Sequence, residues 1–238
     1  PDWTIVAGRL ETMNLWADTR SYDTDFKDFV LDQKRLGIWT HAGFDKYTEE
    51  EIEELGEYMV KERDLNHSYA SIVTAKQKYL LEGECIQHMF MGEAMIIASV
   101  EEEENRMSFC KEVYDAVSNR ELSLATPWLS NLRNAGNISS CFIISVQDTL
   151  KSIYGNLTNA AMISQSGGGL GVDLSQCRAM GSSLMGQEGK SGGILGWVKL
   201  FNDTAVFVNQ GGKRAGAFTI HCPAWHGDIE NFLACQTE

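Results

Sequence analysis

The feature that most restricts the fold is a change of texture at Ala125. Before it, apolar residues recur at helical spacing; after it, short apolar runs alternate with glycine clusters and amphipathic stretches. Two such halves need two kinds of layer, helix on helix and then helices on a sheet. In the first half, Val6, Leu10 and Met13 predict the inner face of a helix, and Thr48 with Glu51 forms a capping box ahead of Ile52, Leu55 and Met59. Met107, Cys110, Tyr114 and Val117 mark another helix. The acidic runs Glu49 to Glu51 and Glu101 to Glu104 read as helix starts or solvated faces, because negative charge suits a helix N-terminus.

In the second half, Cys141 to Val146 reads as a strand, and Asp148 is placed to cap a helix carrying Leu150, Ile153 and Leu157 that ends in Gly167 to Gly169. Leu170 to Leu174 reads as a second strand. A helix with Val198, Phe201, Ala205 and Val208 follows, and Ala215 to Cys222 makes a third strand. Strands alternating with helices predict a parallel α/β sheet or barrel. The expected division is a helical domain over 1–124 and an α/β domain over 125–238.

The chain of 238 residues carries 20 Lys+Arg against 33 Asp+Glu, a formal net charge of −13, which opposes general binding to DNA or RNA. No apolar run approaches the roughly 18 residues of a membrane span. The six cysteines form no Cys-x-x-Cys pair and follow no secretory signal, so the expected compartment is reducing and cytoplasmic. Gly189-Lys190-Ser191 resembles the end of a phosphate-binding P-loop, yet Leu184 stands where the first glycine is required. The glycines at 167 to 171 follow a helix and precede a strand, the reverse of a dinucleotide fingerprint. His221, Cys222 and His226 lack zinc-site spacing, and no metal site is expected. What survives is Lys213 and Arg214 framed by Gly211, Gly212 and Gly216, a cation pair on a pliable backbone that suits phosphate.

Ordered motifs then resemble the large, catalytic subunit of the ribonucleotide reductases that act on ribonucleoside diphosphates. They are Ala125-Thr126-Pro127, Ser139-Ser140-Cys141, Asp148 with Ile153, Gly168 to Val172, Arg178 to Ser182, Gln210 to Ala217, and Trp225-His226 with Asp228-Ile229. Pro1-Asp2-Trp3 with Ala7-Gly8-Arg9, Glu62-Arg63-Asp64 and Gln87 to Met91 extend the likeness into the helical half.

The resemblance implies a helical N-terminal domain followed by the first strands and helices of a ten-stranded α/β barrel, incomplete in this chain. It implies that Cys141 is one of two reducing thiols, that Thr126 and Ser140 hold substrate, and that Arg214 senses it. Asp148, Arg178, Lys190 and Gln210 match positions binding a deoxynucleoside triphosphate effector (dATP, TTP or dGTP), with 181–193 and 210–216 as two specificity loops. ATP is a further effector of the family, held by a regulatory module that often precedes the Pro1-Asp2 motif. Implied partners are a metal-containing small subunit that supplies the radical, the rest of the large subunit, and a second copy joined through effector-site helices. Thioredoxin or glutaredoxin would supply reducing equivalents. The thiyl cysteine, its neighbouring asparagine and glutamate, and the second reducing cysteine are expected beyond Glu238, so this chain alone is expected to be inactive. The adenosylcobalamin-dependent class shares the barrel motifs, and a non-catalytic nucleotide-binding module is the alternative outside enzymes. Cys85, Cys110, Cys177, Cys222 and Cys235 match no redox position and read as small core residues.

Overall fold

A computed structural model describes residues 2–19, 21–208 and 216–235. The chain divides into two compact units, Pro1–Ile138 and Ser139–Glu238. The first contains seven α-helices among its described residues: α1 (Trp3–Thr19), α2 (Phe26–Arg35), α3 (Glu49–Tyr58), α4 (Tyr69–Lys78), α5 (Ile86–Ala98), α6 (Glu103–Ser118) and α7 (Thr126–Asn131). The change of texture at Ala125 precedes the division at Ile138, because the segment after it still forms a helix, α7, that packs on α5.

The capping box on α3 is complete: the Thr48 hydroxyl accepts from Glu51 N at 3.2 Å and the Glu51 carboxylate accepts from Thr48 N at 2.8 Å. Thr48→Ala removes one of these bonds and is expected to lower stability by about 1 kcal/mol, read as a shift in thermal midpoint; no shift would contradict the role of the cap. Ile52 and Leu55 are buried from this helix, as are Cys110, Tyr114 and Val117 from α6.

In α1 the helix forms where expected but turns the other face inward. Gly8, Thr12 and Leu15 are buried, whereas Val6, Leu10 and Met13 are exposed. The reason is polar and steric. Trp16 Nε1 donates to Asp64 Oδ2 at 3.0 Å, and an added Cβ at Gly8 would sit 2.3 Å from the His67 carbonyl oxygen, so this side lies against backbone that only glycine admits.

Helix α5 is apolar on almost every side and is accordingly buried along nearly its whole length. Its Gln87 and Glu93 enter two polar knots. Gln87 donates to Asp64 Oδ1 at 2.9 Å and accepts from Tyr114 and Ser118, while Asp64 also accepts from Trp16 and Tyr22. Burial raises the Asp64 carboxyl above its ordinary value, opposed by those donors. In the second knot, Arg133 binds Glu84 through Nε at 2.5 Å and Nη2 at 2.9 Å, and Glu93 through Nη1 at 2.6 Å. His88, in contrast, lies buried among Tyr22, Phe26 and Phe29 with Nδ1 unpartnered, and burial holds its pKa down to about 3.

The second unit contains β1 (Cys141–Ser145), α8 (Leu150–Gln165), β2 (Gly169–Asp173), α9 (Leu195–Phe207), β3 (Phe218–His221) and α10 (Ile229–Ala234). The strands pair in parallel in the order β1-β2-β3. This is the predicted strand–helix alternation, and among the described residues the three strands form an open parallel sheet. Asp148 does not cap α8. Thr149 does, accepting from Ser152 N at 3.2 Å, which leaves the Asp148 carboxylate free for a distant partner.

Candidate functional site

Period-two alternation gives the small sheet two unlike faces. Phe142, Ile144, Leu170, Val172, Phe218 and Ile220 point to one side and pack with α8 and α9 residues such as Ile153 and Phe201. Cys141, Ile143 and Ser145 point to the other side and are exposed, Ile143 at 85%. Register places Cys141 beside Gly169, Ile143 beside Gly171 and Ser145 beside Asp173, with Thr219 and His221 on the far side of Gly171 and Asp173. The two glycines put no side chain next to Cys141 and Ile143. The open face is therefore a shallow floor with a thiol at one end.

Cys141 is an unpaired, exposed thiol, with Ser140 Oγ 3.6 Å from its sulfur. Among the other cysteines, Cys85, Cys110 and Cys177 are buried. Burial pushes Cys110 up to about 12 and Cys177 to about 11, which suppresses the nucleophilic thiolate. Cys222 is partly buried, and Cys235 is exposed near the end of α10, so it is not the core residue expected.

At the other end of β1 lies the ion pair Asp148–Arg178, with Arg178 Nε 2.5 Å from Asp148 Oδ2. Arg178 Nη1 also donates to the Ser183 carbonyl at 2.8 Å, and both charged side chains remain about a third exposed (33% and 32%). A cation tied down on one side and open on the other is suited to an anionic ligand. Strand β1 runs about 13 Å from Cys141 to Ser145, and Asp148 lies three residues beyond its far end. The two sets of residues form two places, not one.

Lys190 is exposed on the segment that follows Arg178, which folds back on itself. Gly181 N donates to Ser191 O at 2.9 Å and Ser191 N to Ser182 O at 3.1 Å, while Leu184 and Gln187 exchange bonds of 2.9 and 3.0 Å. At the tip Met185 (φ +52°) and Gly186 (φ +79°) both adopt left-handed conformations, the signature of a two-residue hairpin turn. The P-loop-like residues 189–191 are thus one limb of a hairpin. His226, set aside as a zinc ligand, is buried and engages the Cys177 carbonyl through Nε2 at 2.7 Å. Among the described residues no group of three or more His, Cys, Asp or Glu side chains is placed to hold a metal ion.

Thr126 stands at the start of α7 in the helical unit, its carbonyl accepting from Ser130 Oγ at 2.9 Å. Gln210, Lys213 and Arg214 lie outside the described residues. A residue that sequence reasoning passed over is Asp228, quoted in a motif without a role yet buried and bonded to both ends of the 181–193 segment. Its position five residues after a proline and two after a histidine carries no periodic signal that could have revealed this.

Residues 139–238 match the barrel domain of ribonucleotide reductase, and residues 65–137 match its all-alpha domain. The chain is 42% identical over 242 residues to the ribonucleoside-diphosphate reductase subunit alpha of Synechocystis sp., covering 100% of this chain and 32% of that protein. The protein of the same name from Treponema pallidum is 34% identical (100% of this chain, 29% of that one). Ribonucleoside-diphosphate reductase 1 subunit alpha of Escherichia coli is 31% identical (99% and 32%). The chain thus spans about a third of the length of these curated relatives. No described helix is long and apolar enough to cross a membrane. With both domains matched in order along one chain, and the helical unit and parallel sheet lying where those domains are matched, the chain belongs to the ribonucleotide reductase large-subunit family.

Proposed function

We propose that this chain forms part of the large subunit of a ribonucleoside-diphosphate reductase, supplying one reducing thiol, the floor under the substrate and one wall of an effector site. The observation that carries the reading is Cys141, the unpaired thiol exposed at the end of an open sheet face whose neighbouring positions are glycine.

In the reaction, a thiyl group outside this chain takes a hydrogen atom from the ribose of the substrate. The 2′-hydroxyl then leaves as water. Cys141 and a second cysteine outside this chain give up two electrons and two protons and close to a disulfide, and the hydrogen atom is returned to the sugar. A dithiol protein, thioredoxin or glutaredoxin, restores the pair by exchange. Radical equivalents come from a metal-containing small subunit. Ser140, adjacent to the thiol, and Thr126 contact the substrate; Arg214 reports its identity to the effector loops.

Asp148 and Arg178 hold a deoxynucleoside triphosphate, Asp148 through the sugar or base and Arg178 through phosphate, with Lys190 and Gln210 completing the site against a second copy of the subunit. Arg178→Ala and Asp148→Ala in the full-length subunit are each expected to weaken dATP or TTP binding about tenfold, one charge-assisted hydrogen bond's worth. If neither substitution changes effector affinity in equilibrium dialysis, this assignment is wrong. Reconstitution tests the class: reduction of CDP by the full-length protein should require the small subunit, and activity with adenosylcobalamin alone would overturn the proposal.

A further inference from the structure

We propose that Asp228 is a positioning residue that fastens both ends of the 181–193 hairpin and so holds the effector loop in its binding shape; the effector part of this inference rests on the reading of that loop given above. Its carboxylate bridges the neck of the hairpin. Oδ1 accepts from Met180 N at 2.8 Å, just before the loop, and Oδ2 from Ile194 N at 3.0 Å, just after it. Asp228 is 2% exposed, so each of these charge-assisted bonds is made away from competing water.

Two hydrogen bonds and two close backbone approaches show that this geometry is built rather than incidental. Asp228 N donates to His226 Nδ1 at 3.1 Å, and His226 Nε2 lies 2.7 Å from the Cys177 carbonyl, next to Arg178. That histidine therefore joins the fastening to the residue before the guanidinium. A Cβ at Gly227 would fall 2.8 Å from Ala179 Cβ, so the 226–228 turn lies flush on the segment leading into the loop. Gly193 has φ +70°, and a Cβ there would lie 2.4 Å from Asp228 Oδ2 and 2.8 Å from Met180 N. Only glycine lets the two strands of the neck close on one carboxylate.

An aspartate is required because two N–H donors converge on it. Asparagine keeps the shape but offers one acceptor oxygen and one NH2 group, which leaves one of the two donors facing another donor. The hairpin's own cross-strand bonds remain, but its base is released. The loop that carries Lys190 and faces Arg178 then samples conformations that do not bind, and apparent effector affinity falls by the fraction of time it spends in them.

The test uses the full-length large subunit with its small subunit, comparing Asp228→Asn, Gly193→Ala and Arg178→Ala with the native protein. In Asp228→Asn, amide hydrogen exchange at Met180 and Ile194 is expected to accelerate at least tenfold while the amides of β2 keep their protection. The TTP concentration for half-activation is expected to rise at least tenfold, with kcat at saturating TTP within threefold of native. Gly193→Ala, which displaces the carboxylate without removing it, should reproduce both effects and serves where the asparagine variant does not fold. Unchanged exchange at both amides overturns the fastening. Loss of β2 protection together with kcat overturns it in favour of a general structural role. Faster exchange with native TTP dependence in Asp228→Asn, while Arg178→Ala weakens TTP, overturns the positioning role alone. If Arg178→Ala also leaves TTP binding untouched, the fastening stands and the effector reading falls.

Discussion

In the assembled reductase, Cys141→Ser is expected to reduce turnover supported by dithiol reductants to background. The substitution changes one atom and nearly preserves size, so it leaves the floor of the sheet intact; Cys141 is exposed, and its register partner is a glycine. What it removes is the sulfur. A hydroxyl cannot close a disulfide with a second thiol, so under the proposed chemistry the two electrons for each deoxygenation would have no donor. Effector binding is expected to survive, because the Asp148–Arg178 pair lies at the opposite end of β1. The measurement is CDP reduction with thioredoxin or dithiothreitol, with TTP binding alongside. Turnover within tenfold of native would remove Cys141 from the chemistry. Loss of TTP binding in the same variant would mean that the serine had damaged the fold.

The second large effect concerns the helical unit. Arg133 is fully buried and is the sole cation bonded to two buried carboxylates, Glu84 and Glu93, among the described residues. Glu84 is supported further by Trp39 Nε1 at 2.7 Å and Leu81 N at 2.7 Å, whereas Glu93 Oε2 has no partner. Arg133→Met leaves both acids buried without their cation, and the expected loss is about 3–5 kcal/mol, enough to unfold a marginal domain. Arg133→Lys is expected to rescue only in part, because an ammonium cannot match the forked contact to Glu84. Urea denaturation followed by helical circular dichroism measures this. A loss below about 1 kcal/mol for Arg133→Met would contradict the role given to the knot.

The same knot sets a pH dependence. Burial, and then repulsion from Glu84, raises the Glu93 carboxyl to about 8 against the opposing pull of Arg133. Because the folded value lies above the unfolded one, the stabilisation is present below the ordinary carboxylate range and is lost as pH climbs through about 8. One guanidinium neutralises one of the two acids; the proton on Glu93 neutralises the other. Glu93→Gln should therefore flatten the alkaline limb of the stability profile and make the variant more stable than native at pH 9. His88 acts in the opposite sense: held down to about 3, it contributes stability above its ordinary value that is lost on acidification. A stability profile of Glu93→Gln that still fell between pH 6 and 9 with the native slope would place the titrating group elsewhere.

Local rules made much of this fold readable from the amino acids alone. The Thr48–Glu51 box, the helical spacing through Cys110, Tyr114 and Val117, and the strand–helix alternation after Cys141 depend on residues within a few positions of each other. The family likeness came from motif order, which is also linear. The position of Cys141 at the head of a strand was legible for the same reason, since a β-type run begins there.

Tertiary structure decided what long-range polar contacts and close backbone approach control. The apolar stripe of α1 pointed to the wrong face because Asp64, 48 residues beyond Trp16, and the backbone at His67 hold the other side. Asp148 gave up a capping role that Thr149 fills and took Arg178, 30 residues away. Arg133 meets Glu84 across 49 positions, and Asp228 meets Met180 across 48. Hydrophobic periodicity reports which residues can be buried within one element, but a charge in the interior is placed by where its partner arrives, and that is known only once the chain has closed on itself.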